Sequence, residues 1–239
     1  MARPWTPKIE IHRHGREQQP VIVIDDYARD PEQLIEEAAQ QSYRPIGPYY
    51  PGVRAVAPPA LALSVRDSLA TLIQKTFGLE GQLDRIECYF SLITTPPEQL
   101  QLLQRLPHFD GLGSQRVAIL HHLGRAERGA TAFYRHRSTG FETLTDERLG
   151  AYNLAVNAEF HRYGVPQPGY IAGDTPIWER IARYEARFNR LLVYRGATLH
   201  GAEVPQDLPL PADPRCGRFS INTFIWRDEP TPSPPGSPP

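Results

Sequence analysis

A chain of 239 residues, 40% hydrophobic and 10% aromatic, can bury a large core, and one mainly β domain fits that length. Its 26 basic and 27 acidic residues leave a net charge of -1, which excludes a global field drawing it to nucleic acid or an anionic membrane. Cys88 and Cys216 are too few for a disulfide framework, no segment has the apolar length a bilayer requires, and MARPWTPKIEIHRHG lacks the apolar core of a signal peptide; a reduced, cytoplasmic protein is expected.

The run PVIVIDDYARDPEQLIEEAAQ predicts a buried strand from Val21 to Ile24 and then a helix. Asp30 suits its N-cap, Pro31 its first turn, and Leu34, Ile35 and Ala38 its apolar stripe. YRPIGPYYPGVRAVAPP carries too many prolines and glycines for regular structure and reads as a long loop, either a packed connector or a substrate-facing segment. In ALALSVRDSLATLIQKTFG, Leu61, Val65, Leu69, Leu72 and Phe77 approximate helical spacing, with Gly78 as the stop.

From Arg85 the pattern changes to short β-rich runs: RIECYFSLIT, QRVAILHHL, ATAFYRH, NRLLVYRG, LHGAEV and FSINTFIW. Such runs between turn signals predict a sandwich or barrel, not alternating βα units. A helix interrupts them in TDERLGAYNLAVNAEFHRYG, with Leu149, Tyr152, Val156 and Phe160 on one face. In TPIWERIARYEARF, Thr175 and Pro176 resemble a helix start, yet Trp178, Arg180, Ala182 and Tyr184 alternate; a strand is the expectation. The chain is thus read as one domain over residues 1–228, with a strand and helices in 20–84 and a β core in 85–227. A proline-rich tail, 229–239, is expected to be disordered.

The chemistry begins at PHFD. On extended backbone, His108 and Asp110 point to one face, so both aim at one point in space. Such a pair alone is more often a hydrogen-bonded turn, and it needs a third ligand. His200, opening a short strand after a buried strand and a glycine turn, is the candidate. Two imidazoles and a carboxylate on neighbouring strands make a facial triad that holds Fe(II) and leaves positions open. Arg218 begins an apolar strand on which Ser220 and Asn222 alternate to one face, and its guanidinium could grip a carboxylate inside a barrel or form a strand-end salt bridge.

The order PHFD, RVAILHHL, RGATAFY, NRLLVYRGATLHGAEV, RFSINTFIW resembles the Fe(II)/2-oxoglutarate-dependent dioxygenase superfamily, in particular its prolyl-hydroxylase-like branch, over roughly Arg85 to Arg227. The resemblance implies a double-stranded β-helix (jelly-roll or cupin-like) core with flanking helices. It implies His108, Asp110 and His200 as iron ligands and Arg218, with Ser220 on its face, as partner of the distal carboxylate of 2-oxoglutarate. It also puts His122 where the family often has a cosubstrate-binding tyrosine, and Tyr89 on the strand entering the site. PQDLPLPADPRCG, between His200 and Arg218, is longer than the family's usual interval and resembles an inserted loop. The implied reaction couples O2 and oxidative decarboxylation of 2-oxoglutarate to hydroxylation of a C–H bond in an amino-acid, peptidyl or small-metabolite substrate. Asp110 favours hydroxylation over halogenation, since related halogenases carry a small residue there. Competing readings are a non-catalytic metal-binding or scaffold protein on the same barrel, and a zinc or other cupin-like metalloenzyme. His121 is expected to face the other side of its strand as a structural residue, and His12, His14, His136 and His161 to face solvent.

Overall fold

Alternation along the second strand sets the layering. Ile22 and Ile24 join a buried cluster with Val65, Leu69, Ile73 and Phe77 of a helix, whereas Val21 and Val23 join another with Phe133 and Tyr184 of a different sheet. Both faces of this strand are therefore covered, and each fully buried aliphatic side chain contributes about 1.5–3 kcal/mol. The computed structural model describes residues 5–79, 81, 83–112, 114–125 and 128–227. The tail expected at 229–239 lies outside the described residues.

Among the described residues, ten strands and three α-helices follow in the order β1 (Lys8–His14), β2 (Gln19–Asp25), α1 (Pro31–Ala39), β3 (Gly52–Val56), α2 (Pro59–Phe77), β4 (Arg85–Ile93), β5 (Val117–His122), β6 (Ala130–His136), α3 (Asp146–Tyr163), β7 (Trp178–Glu185), β8 (Arg190–Arg195), β9 (His200–Glu203) and β10 (Arg218–Trp226). A seven-stranded sheet runs β1-β2-β8-β5-β10-β4-β3, and a three-stranded sheet runs β7-β6-β9. The named ladders are antiparallel. Helices α1 and α2 cover the outer face of the large sheet, α3 covers the outer face of the small one, and the sheets meet through Ala118, Leu192, Tyr194 and Phe224 on one side and Phe133 and Tyr184 on the other. The mainly β chain with flanking helices expected from the sequence is what forms. None of the described helices is long and apolar enough to cross a membrane.

The helix signals act as their chemistry requires. The Asp30 carboxylate accepts from the Gln33 N–H at 3.2 Å, and Thr145 caps α3 through the Arg148 N–H. Gly78 closes α2 in the left-handed region at φ 64°. The ambiguous segment after Thr175 is strand β7, its alternation outweighing the helix-start pair.

Two expectations need correction. The proline-rich segment after Tyr43 is not wholly loop: Gly52–Val56 forms β3 and pairs with β4. Only glycine fits its start, since a Cβ on Gly52 would lie 2.0 Å from the Leu92 carbonyl oxygen. The stretch Lys8–His14, given no strand from sequence, is edge strand β1; Ile9 and Ile11 stay about half exposed beside charged neighbours, so no buried stripe advertises it.

Candidate metal and anion site

The ladder continues past the ends of the named strands to assemble the triad. His108 and His200 exchange both backbone hydrogen bonds, at 2.8 and 2.9 Å, and the Asp110 N–H donates to the Gly196 carbonyl at 2.7 Å. Local extension at residues 108–110 thus brings His108, Asp110 and His200 together, with one potential ligand atom of each within 4.8 Å of the others. His200 Nε2 lies 3.3 Å from one Asp110 oxygen and His108 Nε2 lies 3.9 Å from the other. The His200 Nδ1 contacts the Thr198 carbonyl at 2.8 Å. A carbonyl only accepts, so Nδ1 carries the hydrogen and Nε2 turns its lone pair toward Asp110 in the neutral ring.

The electrostatics separate the three groups. Burial works against charge on His200, but the Asp110 carboxylate outweighs it and raises the pKa. Burial likewise pushes Asp110 up, yet His200 and His108 more than offset it and hold the carboxyl low. His108 is held down at about 4, first by the protein wall around it and then by His200. Its outer edge is nonetheless open, with a side chain 52% exposed against 5% for His200, so His108 marks the mouth of the site. Two imidazoles and one carboxylate converging in this way suit a divalent transition metal.

Strand register lays a polar row beside the triad on the inward face of the large sheet. Arg54 pairs with Ser91, Ser91 with Ser220, Ser220 with His122, and His122 with Arg190. Cross-strand partners share a face, and Ala118 and Leu120, at even spacing from His122, pack into the inter-sheet cluster. His122 is buried, 3.5 Å from the Thr131 hydroxyl, and burial followed by the charge of Arg218 keeps its pKa well below the usual range. Arg218 reaches the Ala130 carbonyl at 3.3 Å, while its buried Nε has no hydrogen-bond partner. Burial lowers the Arg218 pKa, with Tyr50 and Tyr170 opposing. Ser220 donates to Asn222 Oδ1 at 2.7 Å, and Tyr89 lies on β4 beneath the Arg54 guanidinium.

Reading the sequence missed Arg54, Tyr50 and Tyr170. Arg54 and Tyr50 lie in the segment read as a loop, where only the brief alternation of GVRAV signals a strand. His121 does face the helices: its Nε2 is 2.9 Å from Asn189 Oδ1, and burial holds it at about 4. His161 is exposed, but His136 is not the solvent-facing residue expected. It is fully buried because α3 packs over β6, and it bonds Glu159 at 2.7 Å and Thr139 at 2.8 Å. His12 and His14 are half-buried, stacked on each other beside Tyr184.

Among solved structures, the chain is similar to the non-heme alpha-ketoglutarate-dependent epimerase SnoN from nogalamycin biosynthesis, at 12% identity and TM-score 0.47 over 93% of this chain and 88% of that one. It is also similar to HygX from Streptomyces hygroscopicus with nickel, 2-oxoglutarate and hygromycin B bound, at 15% identity and TM-score 0.48 over 89% and 84%. A third is AviO1 from Streptomyces viridochromogenes Tue57, at 14% identity and TM-score 0.43 over 95% and 94%. No curated protein matches. Residues 5–225 match one sequence family across nearly the whole length described above, and the chain belongs to that family, the Family of unknown function (DUF6445).

Proposed function

We propose that this chain is an Fe(II)- and 2-oxoglutarate-dependent oxygenase on a double-stranded β-helix core of the prolyl-hydroxylase-like kind, which hydroxylates a C–H bond of an amino-acid, peptidyl or small-metabolite substrate. The observation that carries the reading is the convergence of His108, Asp110 and His200 in a chain whose large sheet also turns inward an arginine, Arg218, whose Nε is buried without a partner. A triad alone fits many metalloproteins; a triad together with an unsatisfied inward guanidinium fits a metal that works with a carboxylate cosubstrate.

His108, Asp110 and His200 would hold the metal, and bound Fe(II) with 2-oxoglutarate would supply the oxygen chemistry. The protein's part is positioning and exclusion of water. The Thr198 carbonyl fixes the His200 tautomer and ring, and the backbone bond from Asp110 to Gly196 fixes the carboxylate. Arg218 and the Ser220 hydroxyl would take the distal carboxylate of 2-oxoglutarate, whose two oxygens match the guanidinium fork. His122, kept neutral, can donate or accept one hydrogen bond to the cosubstrate without adding charge beside Arg218. Phe133 and Tyr194 wall the site at His200, their ring centres 6.2 and 4.7 Å from its imidazole.

The test is anaerobic Fe(II) titration of the wild type and His108→Ala, followed by succinate formation from 2-oxoglutarate under air. The wild type is expected to bind one Fe(II) and to turn over 2-oxoglutarate slowly without substrate; His108→Ala loses both. Equal Fe(II) affinity in the two proteins would sink the metal assignment. Tight Fe(II) binding with no 2-oxoglutarate consumption would favour the non-catalytic metal protein.

A further inference from the structure

The row that carries Ser220 and His122 begins at Arg54, a second cation that the cosubstrate does not need. Among the described residues, Arg54 has no carboxylate partner within salt-bridge distance, and its Nε is buried with no hydrogen-bond partner. Three other arginines end on carboxylates, Arg135 on Glu142, Arg190 on Asp25 and Arg180 on Glu203, whereas Arg54 and Arg218 do not. Leaving a buried guanidinium nitrogen unsatisfied costs free energy unless something absent from the protein satisfies it.

The surroundings of Arg54 orient it. Its guanidinium lies 3.8 Å from the centre of the Tyr50 ring and 5.4 Å from that of Tyr89. Held against aromatic faces, a guanidinium keeps its edge free for two parallel hydrogen bonds to an oxyanion. Tyr50 is also near the second cation, because its phenol faces Ser91 and Ser220 and feels the charges of both Arg54 and Arg218. The charge of Arg218 is felt by Tyr50 and Tyr170, whereas the field of Arg54 reaches His108 and Asp110. Arg54 is therefore the one of the two cations whose charge acts on the exposed ligand His108 and on Asp110.

We propose that Arg54 binds a carboxylate of the primary substrate, so that the site selects a small organic acid, held by Arg54 against Tyr50 and Tyr89 while Arg218 holds the cosubstrate. The proposal rests on the oxygenase reading for the identity of the second anion, but the anion site itself can be measured without it.

The probe pair is benzoate and its neutral isostere benzamide, titrated by calorimetry at low salt into the metal-free protein and into protein held anaerobically with Ni(II) and 2-oxoglutarate. The wild type is expected to bind benzoate at least about tenfold more tightly than benzamide in both states. Arg54→Gln should abolish that preference in the loaded protein, where 2-oxoglutarate occupies Arg218, and leave 2-oxoglutarate affinity within about twofold of wild type; Arg218→Gln should keep the preference in the metal-free protein. If Arg54→Gln does not fold, Arg54→Lys keeps the charge without the fork, and the preference should fall severalfold. No preference for benzoate in the wild type, or a preference unchanged in the Arg54 variant, overturns the proposal. If Arg54→Gln instead loses 2-oxoglutarate as severely as Arg218→Gln, Arg54 belongs to the cosubstrate clamp and the proposal is again wrong. Should the wild type bind no 2-oxoglutarate while the Arg54-dependent preference persists, the oxygenase reading fails and the anion site stands.

Discussion

Replacing Arg218 by Met should weaken 2-oxoglutarate binding while leaving the ligand-free protein at least as stable. Methionine keeps much of the apolar stem and removes the head, whose Nε is buried without a partner and whose one described hydrogen bond, to the Ala130 carbonyl, is long at 3.3 Å. An unsatisfied buried donor costs about 1–3 kcal/mol, and a long neutral-acceptor bond returns about 1 kcal/mol or less, so deletion is expected to change stability by between zero and about 2 kcal/mol in the stabilising direction. Binding moves the other way. A carboxylate gripped by two charge-assisted hydrogen bonds loses on the order of 2 to 5 kcal/mol when its cation goes, roughly 30-fold to 5,000-fold in Kd. The assays are urea unfolding of metal-free protein and calorimetric titration of 2-oxoglutarate into Ni(II)-loaded protein, with Ni(II) affinity as the control. Arg218→Met that binds 2-oxoglutarate as tightly as wild type would refute the clamp. A loss of several kcal/mol of ligand-free stability would refute the claim that this arginine is maintained at a cost to the fold.

Asn189→Ala should destabilise the fold by about 2–4 kcal/mol in urea. It removes bonds to the Ala28 N–H, the Ala28 carbonyl and His121, each 2.9 Å, at about 1 kcal/mol apiece, and puts alanine at φ 59°. Both edges of the Asn189 amide are fixed by Ala28, so its Oδ1 accepts from His121, whose Nε2 carries the hydrogen while burial keeps the ring neutral. His121 is held at about 4 in the fold against about 6.5 unfolded, so its contribution is full above pH 6.5 and is lost as pH falls toward 4. Over that window it amounts to about 3 kcal/mol, and His121→Leu should flatten the acid limb of the stability curve by about that much; an unchanged slope would contradict a neutral His121. Gly52→Ala, whose Cβ meets the Leu92 carbonyl, should cost about 2 kcal/mol or more and, by shifting β3, weaken benzoate binding at Arg54 without touching that side chain. Wild-type stability and benzoate affinity in this variant would argue that β3 does not set the position of Arg54.

The local grammar of the chain decided much of this molecule. Asp30-Pro31 starts a helix and Gly78 stops one because capping and left-handed backbone are satisfied within a few residues. A continuous apolar run identified β2, which is buried on both faces, and alternation identified β7 because it reports which side chains a strand buries. His108 and Asp110 were legible as a pair for the same reason, since extended backbone turns both to one side over three residues. The rest depends on partners far away in sequence. Edge strand β1 carries no buried stripe, and β3 is specified by close approach of Gly52 to β4, not by its own five residues. His136 is buried because a helix 10 or more residues further on folds back over it. Arg54, Ser91, Ser220 and His122 share one row only through the register of β3, β4, β10 and β5, which no local period encodes. Sequence alone thus determined which groups could serve as ligands, and tertiary structure decided which cations face them, because side-chain direction is a local property of backbone and proximity is not.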